Sequence, residues 1–165
     1  MGRFADKTPL WASVGCALAL SGCGFAPLYG APGVVSSLAA VQLVAPEGRA
    51  GELLREHLED ALGHRADAKP AYRMTMAFTE QRYPRGVRVD NVATRYEYVL
   101  TTQYTLTALE GTAKPKTGRV RVEVTYDSAD QPYASVAAQQ DAQDRAAQEA
   151  ARKIELELAV MLAKG

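Results

Sequence analysis

Between residues 39 and 164 the spacing of apolar positions switches repeatedly, and each switch marks an element. Ala39 to Ala45 (AAVQLVA) is a short apolar run closed by Pro46 and Gly48, which suits a first strand. From Arg49 to Gly63, Leu54, Leu58, Ala61 and Leu62 recur at helical spacing with Arg55, Glu56, Glu59 and Asp60 between them, an amphipathic helix that ends near Gly63. Ala71 to Tyr83 changes to a period of two, with Tyr72, Met74, Met76 and Phe78 alternating with Arg73, Thr75, Ala77 and Thr79. Arg95 to Leu109 repeats it through Tyr96, Tyr98, Leu100, Tyr104 and Leu106, and Arg119 to Tyr126 through Val120, Val122, Val124 and Tyr126. Ser135 to Lys164 returns to helical spacing, its stripe made of Ala147, Ala150, Ala151, Ile154, Leu158, Met161 and Leu162, with Ser135 as the expected N-cap.

The order β-α-β-β-β-α predicts an α+β fold: a mixed, mostly antiparallel four-stranded sheet with two helices packed on one face. The three period-two segments form a meander whose second face can be wet. The alanines on the last helix let it lie close to the sheet. A single domain over residues 37–165 is expected.

The first residues follow another pattern. Arg3 and Lys7 precede an uninterrupted run of apolar and small residues from Leu10 to Leu20, LWASVGCALAL. This is the form of a secretory signal, and the run is shorter than the roughly 20 residues a membrane-spanning helix needs. Leu20-Ser21-Gly22-Cys23 resembles a bacterial lipobox. Residues 1–22 are then the signal peptide, Cys23 is the acylated first residue of a mature chain, and residues 23–36, with Pro27, Gly30, Pro32 and Gly33, are a tether. Several acyl chains on one residue anchor a protein stably to a membrane surface. Gly24 stands where a retention signal would have Asp, which by resemblance to sorted lipoproteins implies the outer membrane, on its periplasmic side.

Composition narrows the function classes. The mature chain keeps 143 of the 165 residues and carries 17 basic against 18 acidic groups once two bases and one acid leave with the signal. A strongly basic nucleic-acid-binding domain is excluded by that balance. Cys16 leaves with the signal and Cys23 is consumed by lipid, so no disulfide is expected. His57 and His64, seven apart on the first helix, have no third ligand spaced to join them, and a solvated helix face is expected instead of a metal site. No phosphate loop, G-x-S-x-G elbow or H-E-x-x-H occurs. Neither a catalytic residue nor a cofactor is expected.

The arginines carry the remaining chemistry. Arg82, Arg85 and Arg88 crowd the end of one strand and its loop, Arg95 opens the next strand, and Arg119 and Arg121 stand on the polar side of the last. A guanidinium offers a planar fork of donors suited to phosphate. Two readings stand: a local site for an anionic head group, or the ordinary polar face of a solvated sheet.

Three stretches bear a resemblance: LSGCGFAPLYG at the anchor, the strand ATRYEYVLTTQYTLT, and TYDSADQPYASVAAQQDAQDRAAQEAARKI, where a strand ends in a D-Q-P-Y turn before the long helix. In that order they resemble the LptE family of lipopolysaccharide-assembly lipoproteins over essentially the whole mature chain. The resemblance implies a plug seated in the LptD β-barrel that helps deliver lipopolysaccharide to the outer leaflet. It also implies that Arg88, Arg95, Arg119 and Arg121 occupy places where the family carries basic groups proposed to touch lipid A phosphates. The alternative is an auxiliary lipoprotein of a lipid-transport ABC system, which the tether alone does not exclude.

Overall fold

The computed structural model describes residues 33–65, 69–86, 89, 93–128 and 131–163. The signal, Cys23, the tether as far as Pro32 and Arg88 lie outside the described residues. The elements are α1 (Val34–Ala39), β1 (Val41–Val44), α2 (Arg49–Ala61), β2 (Tyr72–Pro84), β3 (Arg95–Ala108), β4 (Lys116–Asp127) and α3 (Pro132–Ala163). The sheet runs β1-β2-β3-β4, with β1 parallel to β2 and the other pairs antiparallel. This is the expected α+β architecture, with one further helix at its start.

α1 forms because Val34 and Leu38, four apart, both reach the core, while Gly33 turns into the helix at φ 86. Six residues are too few for a periodicity signal, so the stretch reads as tether. α3 starts at Pro132, three residues before the expected Ser135. Proline needs no N–H in a first helical turn, and the Ser135 N–H already donates to the Gln131 carbonyl at 3.1 Å. The Ser135 hydroxyl instead meets the Ser128 hydroxyl at 2.9 Å, tying α3 to the end of β4.

The register settles both faces. Met74, Leu106 and Lys116 align across one row, Met76, Tyr104 and Gly118 across the next, and the row of Pro84, Tyr96 and Tyr126 closes the far end. At about 3.3 Å per residue the β2–β3 ribbon is roughly 40 Å long. The even-numbered residues of β2, β3 and β4 face the helices and form the core with Leu54 and Leu58 of α2. The odd-numbered residues form an open face rich in threonine. Val99 and Thr101 are buried on that open face, flanked in register by Gln81 with Glu123 and by Thr79 with Arg121.

α3 buries Ala142, Ala146, Ala147, Ala150, Ala151 and Ala159 together with Ile154 and Leu158. Each is at most 1 % exposed, so the helix backbone lies almost on the sheet side chains. One strand residue makes room in turn. The Tyr104 ring crosses over Gly118 and donates its hydroxyl to Glu157 of α3, and a Cβ at Gly118 would overlap the Tyr104 Cζ and hydroxyl. Burial first, and the Glu157 carboxylate second, push the Tyr104 phenol pKa up.

Gly118→Ala should therefore lower the unfolding free energy by about 1–3 kcal/mol in urea denaturation. Most of that loss should vanish when Tyr104→Ala is combined with it. Equal losses in both backgrounds would show that Tyr104 is not the obstacle.

Candidate functional site

The two ends of the sheet differ. The chain enters at one, where the Ala40 carbonyl accepts from the Ala71 and Tyr72 amides beside Ala108. The arginine-bearing strand ends lie at the other, where Arg85 and Arg95 are joined by the hydrogen bond from the Arg85 amide to the Arg95 carbonyl at 2.8 Å.

The structure divides the expected arginines between two faces. Arg82, even-numbered, turns toward the helices: its guanidinium lies 4.8 Å from the centroid of the Tyr96 ring and donates to Gln139 of α3 at 2.9 Å. Tyr96 stacks on Tyr126 at 5.6 Å between centroids, so Arg82 caps an aromatic pair and helps hold the first turns of α3. Beside it, Tyr98 donates to Glu80, which also accepts from Gln143 at 3.2 Å. Burial first, and then Glu80, raises the Tyr98 pKa.

Arg85, Arg95, Arg119 and Arg121 share the open face. Arg85 donates twice to Glu97, once at 3.0 Å, and its guanidinium lies 5.8 Å from the centroid of the Tyr83 ring. Arg95 donates to its cross-strand neighbour Asp127 at 2.7 Å. That hydrogen bond, reinforced by the charge of the guanidinium, holds the Asp127 pKa below the ordinary carboxylate value. Arg121 donates to Glu123 at 2.8 Å. Arg119 makes no hydrogen bond or ion pair with any described residue and borders a shallow concavity of about 600 Å³ with Thr75, Gln103, Thr105 and Thr117.

Glu97, Asp127 and Glu123 are counter-ions that the sequence around the arginines does not single out. The signal was present, since pairing β3 with β4 through residues 109–115 sets Arg95 opposite Asp127. The Arg95–Asp127 and Arg121–Glu123 pairs are exposed, and such pairs contribute little stability, so an incoming phosphate can exchange with these two carboxylates, whereas Glu97 is mostly buried beside Arg85. Among these four, Arg119 is the cation that needs no exchange.

One histidine also differs from expectation, while His64, just past the end of α2, is exposed. His57 is not on a solvated face: its Nε2 lies 2.9 Å from Asp144 Oδ1 of α3, with the imidazole about four-fifths buried at the seam between α2 and α3. The described residues contain no group of three or more His, Cys, Asp or Glu placed to hold a metal.

The family model described as LptE: Lipopolysaccharide-assembly matches residues 37–158. A protein of Caulobacter crescentus CB15, described as a lipoprotein, shares 54% identity and superimposes with a TM-score of 0.69, covering 80% of this chain and 96% of its own. A lipoprotein B of Nitrosomonas europaea, 13% identical, superimposes with a TM-score of 0.56 over 76% of this chain and 84% of its own, and shows the fold alone. No curated protein matches the sequence.

Because the folded-state pKa of Asp127 is depressed, its pairing with Arg95 contributes stability above the unfolded carboxylate pKa, and that contribution is lost as pH falls through the folded value. A carboxyl-detected NMR titration should place the Asp127 midpoint below that of an ordinary aspartate. Arg95→Ala should raise it to the ordinary range, and an unchanged midpoint would contradict the pairing.

Proposed function

The chain belongs to the LptE family of lipopolysaccharide-assembly proteins, and on that premise we propose that it is an outer-membrane lipoprotein that seats in an LptD-like β-barrel and takes part in moving lipopolysaccharide to the outer leaflet. Cys23 is the acylated mature N-terminus in this reading, residues 1–22 are removed, and the tether holds the domain on the periplasmic side. The protein works by docking, without catalysis and without a cofactor.

The observation that carries the reading is the family match over residues 37–158, which takes in the whole sheet, α2 and most of α3. The open face supports it chemically. Arg119 is unpaired among the described residues, Arg95 and Arg121 have exposed, exchangeable carboxylate partners, and rows of threonine lie between them. Hydroxyls and guanidinium forks together suit a phosphorylated sugar. Arg88 belongs to the same proposal on sequence grounds. Arg82 contributes less, because its guanidinium is committed to Tyr96 and Gln139 on the other face.

The barrel partnership is tested by purification from mildly solubilised membranes, where the protein should leave with a large β-barrel. Recovery with an inner-membrane transport complex instead would favour the auxiliary role. Cys23→Ala should leave an uncleaved precursor, and a non-acylated N-terminus elsewhere in the wild type would overturn the anchor.

Lipopolysaccharide binding is tested by Arg119→Glu. A charge-assisted contact is worth roughly 1.5–3 kcal/mol, so affinity should fall about tenfold or more, with a larger loss at low salt. Arg82→Gln should leave affinity nearly unchanged while lowering thermal stability. If both variants bind like the wild type, the arginines are a solvated rim.

A further inference from the structure

At the end where the chain enters, a cavity of about 490 Å³ opens between the sheet and the C-terminal turns of α3. Its floor is apolar: Tyr72, Leu106, Ala108 and Leu162, with Pro115 on the wall of the β3–β4 loop. Two cations stand at its rim. Lys116 reaches across to the Met161 carbonyl at 2.7 Å, where a cation complements a helix C-terminus, and Lys114 is exposed and unpaired among the described residues. A third, Lys69, borders the adjoining hollow and holds Glu110, the acid that borders both, at 2.8 Å. The same end exposes apolar side chains, with Val35 of α1 58% and Leu109 39% exposed.

Position supplies the second argument. α1 packs on α3, and Ala40, which follows it, is hydrogen-bonded to Ala71 and Tyr72 at this end. The chain preceding Gly33 therefore leads into the fold through α1, whose following residue, Ala40, lies at the end of the sheet where the cavity opens. An extended chain spans at most about 3.6 Å per residue, so lipid on Cys23 would keep this end within reach of the bilayer surface. Apolar side chains ringed by lysines suit an anionic interface, and the cavity volume falls within the roughly 300–1,000 Å³ of small-ligand sites.

We propose that this end of the domain rests on the bilayer and that the cavity takes one acyl chain of an anionic phospholipid whose head group lies on Lys114 and Lys116. The cavity is distinct from the open-face arginines: it lies on the helix side of the sheet. The proposal rests on the lipoprotein reading, since the anchor is what brings this end to the membrane. Its consequence is orientation. With the entry end on the bilayer, the far end of the sheet stands roughly 40 Å away, turned toward whatever the domain docks with.

The test uses the full-length mature protein in a neutral detergent, incubated with phosphatidylglycerol carrying a photoactivatable group on one acyl chain, with adducts located by peptide mass spectrometry. Adducts should concentrate on residues 106–116 and on Leu162, and unlabelled phosphatidylglycerol should compete better than phosphatidylcholine. Lys114→Ala should reduce labelling about fivefold, the effect of one lysine near an anionic surface. Leu162→Trp should block labelling by filling the cavity, with circular dichroism confirming the fold. Adducts spread over the whole surface, equal labelling by a phosphatidylcholine probe, or displacement by lipopolysaccharide but not by phosphatidylglycerol would overturn the proposal. The mass of the N-terminal peptide reports the anchor separately, so a wrong lipidation site and an empty cavity give different results.

Discussion

Six of the eight buried residues of α3 are alanines, and this brings the helix close enough to the sheet for single side chains to bridge the two. Arg82 meets Gln139, Glu80 meets Gln143, Tyr104 meets Glu157 and Lys116 meets the Met161 carbonyl. At about 1.5 Å per residue the 32-residue helix is roughly 48 Å long, enough to run the full length of the ribbon it covers. A bulkier stripe would lift α3 away, break those bridges and expose Leu100 and Val122 beneath it. The absence of a side chain at Gly118 serves the same approach from the sheet side.

Covering one face leaves the other to solvent and gives the domain its polarity. The open face collects Arg85, Arg95, Arg119 and Arg121 because all are odd-numbered in the strands or just beyond them, whereas Arg82, one residue out of phase, joins the core side. Nearby carboxylates then decide which cations are free. Glu97 and Asp127 neutralise the arginines at the far end, so Arg119 is the one of these four without a carboxylate partner among the described residues. The entry end has a separate character, with lysines around an apolar hollow on the helix side. Entry-end hollow, helix seam and open face thus occupy different regions of one domain, joined by the long β2–β3 ribbon.

Much of the fold was legible because β2, β3 and β4 alternate over much of their length, broken by Val99 in β3 and the polar run Thr79 to Arg82 in β2, and α3 keeps its alanine stripe without an internal proline. The four-residue β1 was legible as the apolar run Ala39 to Ala45 closed by Pro46, but the six-residue α1 was not, since it is too short for periodicity and Pro32–Gly33 reads as tether chemistry. The site was legible only in its parts. Arginine identity is local, but pairing of Arg85 with Glu97 and Arg95 with Asp127 depends on register, and the placement of Arg82 depends on phase. The cavity at the entry end was not legible, because Tyr72, Leu106, Lys114 and Leu162 are brought together only by the tertiary fold. His57 likewise acquires its partner from a residue 87 positions away.

The central claim is that the domain stands with its entry end on the bilayer and its open face and far end toward a barrel and its cargo. A photocrosslinking amino acid placed in living cells at Tyr83, at the far end, and separately at Lys69, at the entry end, tests it most directly. The account predicts one large adduct with a β-barrel protein from position 83 and none of that size from position 69. The barrel adduct appearing from position 69 alone would contradict it.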